Sequence, residues 1–285
     1  MRPGYLDIWV GLAVVSAASV AAFMLAARST RRCSGRARLA LLGGLVAALV
    51  LYVALLYDRL TLARLLPVSN VIVLGNVIPP LAGAIMGVLW GAPGISRARK
   101  GVGLVALALA TARVVAAPWL GRPPTCGDLW ENEVCMQTSG ASCGAAAAAT
   151  LLARSDIPTT EAEMARLCLT TNGTSRLGLY RGLRLKTAGT PWRVEVFSGD
   201  VAKLRQKAAA GPVLLFVGLR RGQRADPRYA RDWGWTPGLR HAVVLFGFEE
   251  GGVIDVGDPT MGRKRWRAEA LDVLWDGQAI RLAPR

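Results

Sequence analysis

The chain has 285 residues, 52% of them hydrophobic, and a formal net charge of +16. Globular proteins are already roughly 45–50% apolar, so the distribution of apolar residues matters more than their total. Residues 1–120 contain 12 basic and 2 acidic residues, whereas residues 121–285 contain 23 basic and 17 acidic residues. This asymmetry predicts two parts. No nucleic-acid-binding motif accompanies the positive charge, which argues against a nucleic-acid partner.

Four apolar runs in the first part are long enough to cross a bilayer, which takes about 20 helical residues. They are residues 8–27, 39–57, 68–89 and 102–120. The first three carry no charge, and in lipid a helix satisfies its own backbone hydrogen bonds. We therefore predict a membrane domain of four transmembrane helices at 1–120, with the lipid bilayer as a partner.

Two of these runs contain unusual residues. The third contains Asn70, Asn76 and the pair Pro79–Pro80, which predict a kink or close packing against a neighbouring helix. The fourth contains Arg113. A charge inside a span is costly and often functional, but this arginine is close enough to the end of the run to extend its charge to the interface.

The basic residues between the runs predict the orientation. Five arginines lie at residues 28–38, and Arg97, Arg99 and Lys100 follow the third run. Positively charged loops face the cytoplasm, so the N-terminus and residues 121–285 are expected outside a multi-pass cell-membrane protein. The first run is longer than the apolar core of a signal peptide, which favours a retained helix.

Residues 121–285 have an α+β pattern in which helices come first and strands follow. The predicted helices cover residues 144–153, 177–185, 201–210 and 268–274, and a further helix is predicted to begin at residues 160–163. The predicted strands cover residues 194–197, 212–219, 241–248, 253–256 and 279–282, with the third and fourth forming a hairpin. The polar stretch 220–240 is predicted to be a long surface loop that reshapes any neighbouring cleft.

The chain contains one histidine, His241. A zinc site would need cysteines or carboxylates in its other positions, and the cysteines show no C-x-x-C spacing. Gly140-Ala141-Ser142-Cys143-Gly144 matches the G-x-S-x-G pattern of serine hydrolases, but no predicted strand precedes it, as that motif requires. We therefore predict no metal and no cofactor, and a site built on cysteine and histidine.

Cys143 is the candidate nucleophile because a glycine-containing loop leads into it and an alanine-rich helix follows. A helix N-terminus stabilises a thiolate and can bind an oxyanion, to which Gln137 can add a side-chain N–H. His241 is the candidate base, and Asp258, at the end of the next strand, the candidate residue that orients it. Asp255 is a weaker rival. The alternative for Cys143 is a buried structural cysteine.

The order of these motifs resembles the bacteriocin-processing, double-glycine-leader cysteine peptidases, which are papain-like domains at the front of peptide-exporting ABC transporters. The matching segments, over about residues 126–285, are Gln137-x5-Cys143-Gly144, Gly173-Thr174-Ser175, His241-Ala242-Val243-Val244-Leu245, Asp258-Pro259 and Trp275-x-Gly277-x-Ala279-Ile280. The resemblance implies a papain-like domain at 121–285, with Cys143, His241, Asp258 and Gln137 in the roles above. It also implies hydrolysis of peptide bonds, often after Gly-Gly.

Three functions are compatible with this pattern. The first is a membrane-anchored cysteine peptidase acting on peptides or proteins, with separate export machinery as a further partner, since the sequence contains no G-x-x-x-x-G-K-[ST] ATPase motif. The second is a non-catalytic peptide-binding sensor, and the third a cysteine-dependent acyl or amide transferase. Retention of both Cys143 and His241 favours an enzyme.

Three further cysteines lie in the second part. Cys126 and Cys135 are nine residues apart, and in an oxidising compartment they can form a disulfide. A pairing of Cys135 with Cys168 is the alternative, and sequence spacing does not decide between them. Cys33 lies in a predicted cytoplasmic loop and is expected to stay reduced.

Overall fold

The computed structural model describes residues 6–66, 68–75, 77–116 and 120–285, apart from the side chains of residues 110 and 114. The chain forms two compact units, Met1–Gly121 and Arg122–Arg285. The described residues of the first unit form helices joined by short connections, whereas the second unit combines helices with two β-sheets.

The helices of the first unit follow the predicted runs with different limits. They are α1 (Leu6–Thr30), α2 (Gly35–Leu55), α3 (Leu60–Leu65), α4 (Ser69–Ile72), α5 (Ile78–Gly91) and α6 (Arg97–Ala116). Within the described residues, α1 and α2 are long and apolar enough to cross a membrane. The fourth run begins five residues earlier than predicted, and residues 117–119 at its end lie outside the described residues.

The prediction of one helix over residues 68–89 is wrong. A turn containing Gly75, with a φ of 75°, separates α4 from α5. Pro79 and Pro80 lie in the first turn of α5, where the missing proline N–H is not needed, so they begin a helix rather than kink one. Asn70 donates to the carbonyl oxygen of Asp7 at 2.9 Å. Asn76 lies outside the described residues.

Helix α5 packs along α1 through three glycines spaced four residues apart. A Cβ atom at each would overlap or crowd α1, with Gly83 facing Ser19, Gly87 facing Phe23 and Gly91 facing Thr30. These contacts advance in the same direction along both helices, so α1 and α5 are parallel. Small residues allow helix backbones to approach closely.

The second unit is α+β, as predicted. Its helices are α7 (Cys143–Ala153), α8 (Glu161–Leu167), α9 (Arg176–Lys186), α10 (Val201–Ala208), α11 (Arg228–Arg231) and α12 (Ala270–Leu274). Its strands are β1 (Leu129–Glu131), β2 (Val134–Met136), β3 (Trp192–Ser198), β4 (Val213–Val217), β5 (His241–Phe248), β6 (Val253–Asp258), β7 (Gly262–Arg267) and β8 (Trp275–Pro284). β1 and β2 form a hairpin, and the other six form an antiparallel sheet in the order β3-β8-β4-β5-β6-β7.

Helix α7 packs against the middle of this sheet, and nine of its eleven residues are buried. Its five consecutive alanines let it approach the strands closely. Gly144 does the same on another side, since a Cβ atom there would lie 2.8 Å from Thr174 Cβ. The N-terminus of α7 is thereby held beside β5, which contributes His241.

The sequence predicted that residues 220–240 form a long surface loop, but part of this segment is buried. The Gly238 N–H donates to the Leu219 carbonyl at 2.7 Å and closes the base of the segment. Tyr229 is buried in the core of the second unit, and Trp235 packs against that core. These two aromatic side chains give the segment an apolar anchor that its arginines obscure in the sequence.

Candidate active site

Three of the predicted site residues come together at the ends of regular elements. Cys143 is the first residue of α7, His241 the first of β5 and Asp258 the last of β6. Strands β5 and β6 pair in antiparallel register, with Val244 opposite Gly257, so the start of one lies beside the end of the other. The side chains of His241 and Asp258 are only 15% and 8% exposed.

The imidazole of His241 lies between the thiol and the carboxylate. Its Nε2 is 2.8 Å from Asp258 Oδ1, and the ring also hydrogen bonds with the Cys143 thiol. Because Nε2 is engaged by Asp258, Nδ1 is the ring atom available to the sulfur. The backbone N–H groups of Ala242 and Gly144 donate to the same sulfur.

These surroundings shift both pKa values towards an ion pair. Burial opposes ionisation of Cys143, but hydrogen bonds from His241, Ala242 and Gly144 outweigh it and lower the pKa of the thiol. Burial also opposes the charged form of His241, but the bonds to Asp258 and Cys143 raise its pKa to about 9. The two directions favour a thiolate beside an imidazolium over two neutral groups.

Gln137 lies just after β2 and is tied to the loop that follows Asp258. Its backbone N–H donates to the Pro259 carbonyl at 2.8 Å. Its side-chain Nε2 donates to the Ser139 carbonyl at 3.1 Å, and its Oε1 accepts from Thr260 Oγ1 at 3.1 Å. The nitrogen and the oxygen of the half-buried Gln137 amide therefore each have a hydrogen-bond partner.

A buried carboxylate supports the segment around Gln137. Glu161 has no exposed surface, and its two oxygens accept from the Thr138 N–H at 2.9 Å and the Thr138 hydroxyl at 2.6 Å. Sequence reasoning missed this contact, because Glu161 reads there only as an acidic residue in the first turn of a helix.

Asp255, the weaker candidate for the residue that orients His241, has a different partner. Its carboxylate pairs with the Arg263 guanidinium at 2.7 Å on the neighbouring strand β7. The alternation of side chains along a strand explains the difference, since residues three apart point to opposite faces. Of the two candidates, Asp258 is the one that contacts the imidazole.

Two further residues touch the site and were not predicted. Trp235 meets His241 edge to face, with ring centroids 6.2 Å apart, and meets Trp266 in the same way at 5.9 Å. Thr260 donates its N–H to Asp258 Oδ1 at 2.8 Å. The only sequence signal for either was nearness in the chain to His241 or Asp258.

The other cysteines of the second unit differ from Cys143. All five cysteines of the chain are thiols, so neither disulfide considered from the sequence is formed. Burial, together with the charge of Glu161, raises the pKa of Cys126 to about 11 and that of Cys135 to about 12. Burial also raises the pKa of Cys168 to about 12. Among the three, none is favoured as a thiolate.

No cluster of three or more His, Cys, Asp or Glu side chains suited to a metal ion occurs within the described ranges. The groups near Cys143 are instead hydrogen-bond donors and one carboxylate. This arrangement can ionise a thiol, move a proton through an imidazole and offer N–H groups to a developing negative charge.

No protein-family model matches the chain, and no curated protein matches it. A solved structure of the peptidase domain of Streptococcus ComA, a bifunctional ABC transporter involved in quorum sensing, is 21% identical, with a TM-score of 0.42 over 54% of this chain and 100% of that one. A double-glycine-motif protease from an AMS/PCAT transporter, solved with its leader peptide, is 21% identical, with a TM-score of 0.40 over 58% and 96%.

The peptidase domain of Streptococcus mutans ComA is 23% identical, with a TM-score of 0.36 over 53% of this chain and 99% of that one. Each of the three matches covers nearly all of the solved domain and a little over half of this chain.

Proposed function

We propose that this chain is a membrane-anchored, papain-like cysteine peptidase with its catalytic domain at 121–285. The observation that carries the proposal is the alignment of Cys143, His241 and Asp258, with a lowered thiol pKa and a raised imidazole pKa. Buried polar groups with opposed pKa shifts at the end of a helix are typical of a site that performs chemistry.

In the proposed reaction, the Cys143 sulfur attacks the carbonyl carbon of a peptide bond, and the carbonyl oxygen becomes an oxyanion. His241 then gives its Nδ1 proton to the leaving amine, and the C–N bond breaks to leave a thioester. Water, deprotonated by the now neutral His241, attacks the thioester carbon. The C–S bond breaks, which releases a carboxylic acid and restores the Cys143 thiolate beside the imidazolium. Asp258 holds the ring through Nε2 and stabilises its charged form.

The oxyanion is proposed to bind the N-terminus of α7 and the amide of Gln137. The first N–H groups of a helix have no intrahelical acceptor, and donors aimed at a developing charge are a large source of rate acceleration. Gln137 donates only one N–H to Ser139 among its contacts, and its amide nitrogen has a second.

Residues 1–120 are proposed to be a membrane domain with four crossings, of which the third uses α4 and α5 together. The apolar side chains of α1 and α2 support this, since Leu25 is 64% and Val50 60% exposed. A broken helix is tolerated at membrane depth where protein covers it, and α4 and α5 both contact α1.

The parallel arrangement of α1 and α5 also supports the proposed orientation. Gly91 faces Thr30, so the ends of α1 and α5 lie together. The arginines of residues 28–38 lie at the end of α1 and just after it, and the cations Arg97, Arg99 and Lys100 follow α5. Positive charge collects on the cytoplasmic side, which leaves residues 121–285 outside. An impermeant thiol reagent should label Cys143 in intact cells; labelling only after the membrane is opened would reverse this orientation.

Peptides with a Gly-Gly pair are the proposed first substrates to test. We expect the purified full-length chain to cleave such a peptide after Gly-Gly, and expect Cys143→Ala to be inactive. Cys126→Ala is the matched control, because that thiol is not favoured as a thiolate, and should retain activity. Mass spectrometry of the product identifies the acceptor of the acyl group.

A free carboxylate at the new C-terminus supports a peptidase, whereas an amide formed with an added amine would indicate a transferase. Equal activity in wild type and Cys143→Ala would contradict both. Binding of the peptide without any cleavage would leave the non-catalytic peptide-binding protein.

A further inference from the structure

Thr260 hydrogen bonds to both Asp258 and Gln137. Its backbone N–H donates to Asp258 Oδ1 at 2.8 Å, the same oxygen that faces His241 Nε2 at 2.8 Å. Its hydroxyl donates to Gln137 Oε1 at 3.1 Å. The backbone N–H of Thr260 therefore contacts the carboxylate of Asp258, and its side-chain hydroxyl contacts the amide of Gln137.

The contacts of Gln137 determine how its amide is turned. The Ser139 carbonyl can only accept a hydrogen bond, so the end of the amide that faces it must be the nitrogen. The oxygen then faces Thr260, whose hydroxyl supplies the proton. Without that hydroxyl, Oε1 loses its only side-chain donor among the described contacts, and the amide can rotate about its last torsion angle.

We propose that Thr260 is a positioning residue whose hydroxyl fixes the Gln137 amide with its second N–H aimed at the oxyanion. The inference rests on the proposed function, since it presumes that Gln137 binds that oxyanion. Thr260 is exposed, so its hydroxyl is not needed to fill the core. Its separate backbone contact with Asp258 does not depend on the identity of the side chain.

Two substitutions separate the hydroxyl from the rest of the residue. Thr260→Val keeps the size and branching of the side chain but removes the donor, whereas Thr260→Ser keeps the donor. With a Gly-Gly peptide carrying a fluorogenic leaving group, we expect kcat to fall about tenfold in Thr260→Val, as for the loss of one supporting hydrogen bond. KM should change little, and Thr260→Ser should remain close to wild type.

The double variant Gln137→Ala/Thr260→Val tests the route by which the hydroxyl acts. Removal of an oxyanion donor lowers kcat by about 10²–10³-fold. If Thr260 acts through Gln137, the double variant should be no slower than Gln137→Ala alone. Multiplication of the two losses would overturn the inference, because the hydroxyl would then act independently of the amide.

The rate of Cys143 alkylation by iodoacetamide gives a second readout, because this reaction forms no oxyanion. Its pH dependence should be the same in wild type and Thr260→Val, since the contact with Asp258 remains. A shifted profile, or unchanged kcat in Thr260→Val, would overturn the inference while leaving the peptidase intact. Failure of wild type to cleave any peptide, with Cys143 still alkylated, would overturn the proposed function and the inference together.

Discussion

Two helices of similar apolar character have opposite surroundings in this molecule. α1 has 25 residues, of which five are buried, whereas α7 has 11 residues, of which nine are buried. The second unit supplies strands that cover α7, but the first unit leaves most of α1 uncovered. An apolar helix of about 20 residues or more matches a bilayer, while one of 10–14 matches a protein core. Length and cover, rather than composition, distinguish these two helices.

The two helices also differ in the residues that lie at their ends. α7 starts with Cys143, whose sulfur accepts hydrogen bonds from Gly144, Ala242 and His241. α1 instead ends within a basic segment, residues 28–38. Changes near α7 should therefore affect the reaction, and changes near α1 should affect only the packing of the first unit.

The largest expected effect comes from the carboxylate behind His241. Asp258→Asn removes the negative charge that helps to raise the pKa of His241 to about 9, so that pKa should fall and the imidazolium should lose its proton at lower pH. We expect kcat/KM to fall about 10²-fold, at the lower end of general acid–base contributions. Steady-state kinetics across pH measures both changes.

Asp255→Asn is the matched control for this carboxylate. It removes only the pair with the half-exposed Arg263, and surface pairs contribute about 0–1 kcal/mol. Its kinetics should match wild type at every pH. A loss equal to that of Asp258→Asn would mean that the net charge of the strand, and not the contact with His241, governs the rate.

The next effect concerns the glycine contact in the first unit. Gly87→Leu places a side chain against the Phe23 carbonyl, which should reduce the stability of the solubilised chain by about 2–3 kcal/mol. Unfolding by sodium dodecyl sulfate, followed by helical circular dichroism, measures this change. Gly44→Leu on α2, where a Cβ atom meets nothing within 4 Å, should be neutral; equal losses would contradict the packing of α5 on α1.

A direct test of the two helices uses one substitution in each. Ala147→Leu overfills the covered face of α7 and should lower the free energy of unfolding of the second unit by about 1–2 kcal/mol. Ala18→Leu on α1 extends an exposed apolar surface and should leave the stability of the first unit unchanged. Denaturant-dependent labelling of the buried Cys168 thiol reports the unfolding of the second unit, and sodium dodecyl sulfate with helical circular dichroism reports that of the first. A loss in both variants would mean that α1 is covered in the same way as α7.

The smallest expected effect comes from the aromatic neighbour of His241. Trp235→Ala removes an edge-to-face contact, which contributes about 0.5–1.5 kcal/mol, and should lower kcat/KM about threefold by loosening the ring. Trp233→Ala is the control, because that side chain is 55% exposed and contacts Tyr229 instead. Similar losses in both would assign the effect to the whole segment.

Much of the second unit could be predicted because its signals are local. The alanine run after Cys143 predicts α7, and two apolar strands around Glu249–Gly252 predict the hairpin of β5 and β6. Once that hairpin pairs, its register brings the residue at the start of β5 beside the residue at the end of β6. His241 and Asp258 were therefore predictable as neighbours.

The missed elements lack such signals. β7 reads Gly-Arg-Lys-Arg-Trp-Arg and has no apolar alternation, because it is the edge strand of the sheet and its side chains are mostly exposed. β1 and β2 have three residues each, joined by Asn132 and Glu133, which both have positive φ. Asn at such a turn was the one usable clue.

The remaining errors concern a break within one apolar run and a contact between distant residues. The third apolar run looks continuous, but Gly75 and the prolines of α5 divide it. The hydroxyl of Thr260 meets Gln137 across 123 positions, and no periodic pattern encodes that contact. Such contacts depend on tertiary packing, which propensity and hydrophobic spacing do not describe.

The measurement that tests the central claim most directly is the pH dependence of Cys143 alkylation, in wild type and His241→Ala, corrected with Cys143→Ala for the other thiols. In wild type, the thiol should ionise at the lower pH, because the imidazolium stabilises the thiolate. In His241→Ala, burial of the sulfur is no longer opposed by that charge, so the profile should move to higher pH and the rate at pH 7 should fall at least about tenfold. Identical profiles in the two proteins would contradict an activated cysteine–histidine pair and, with it, the proposed peptidase.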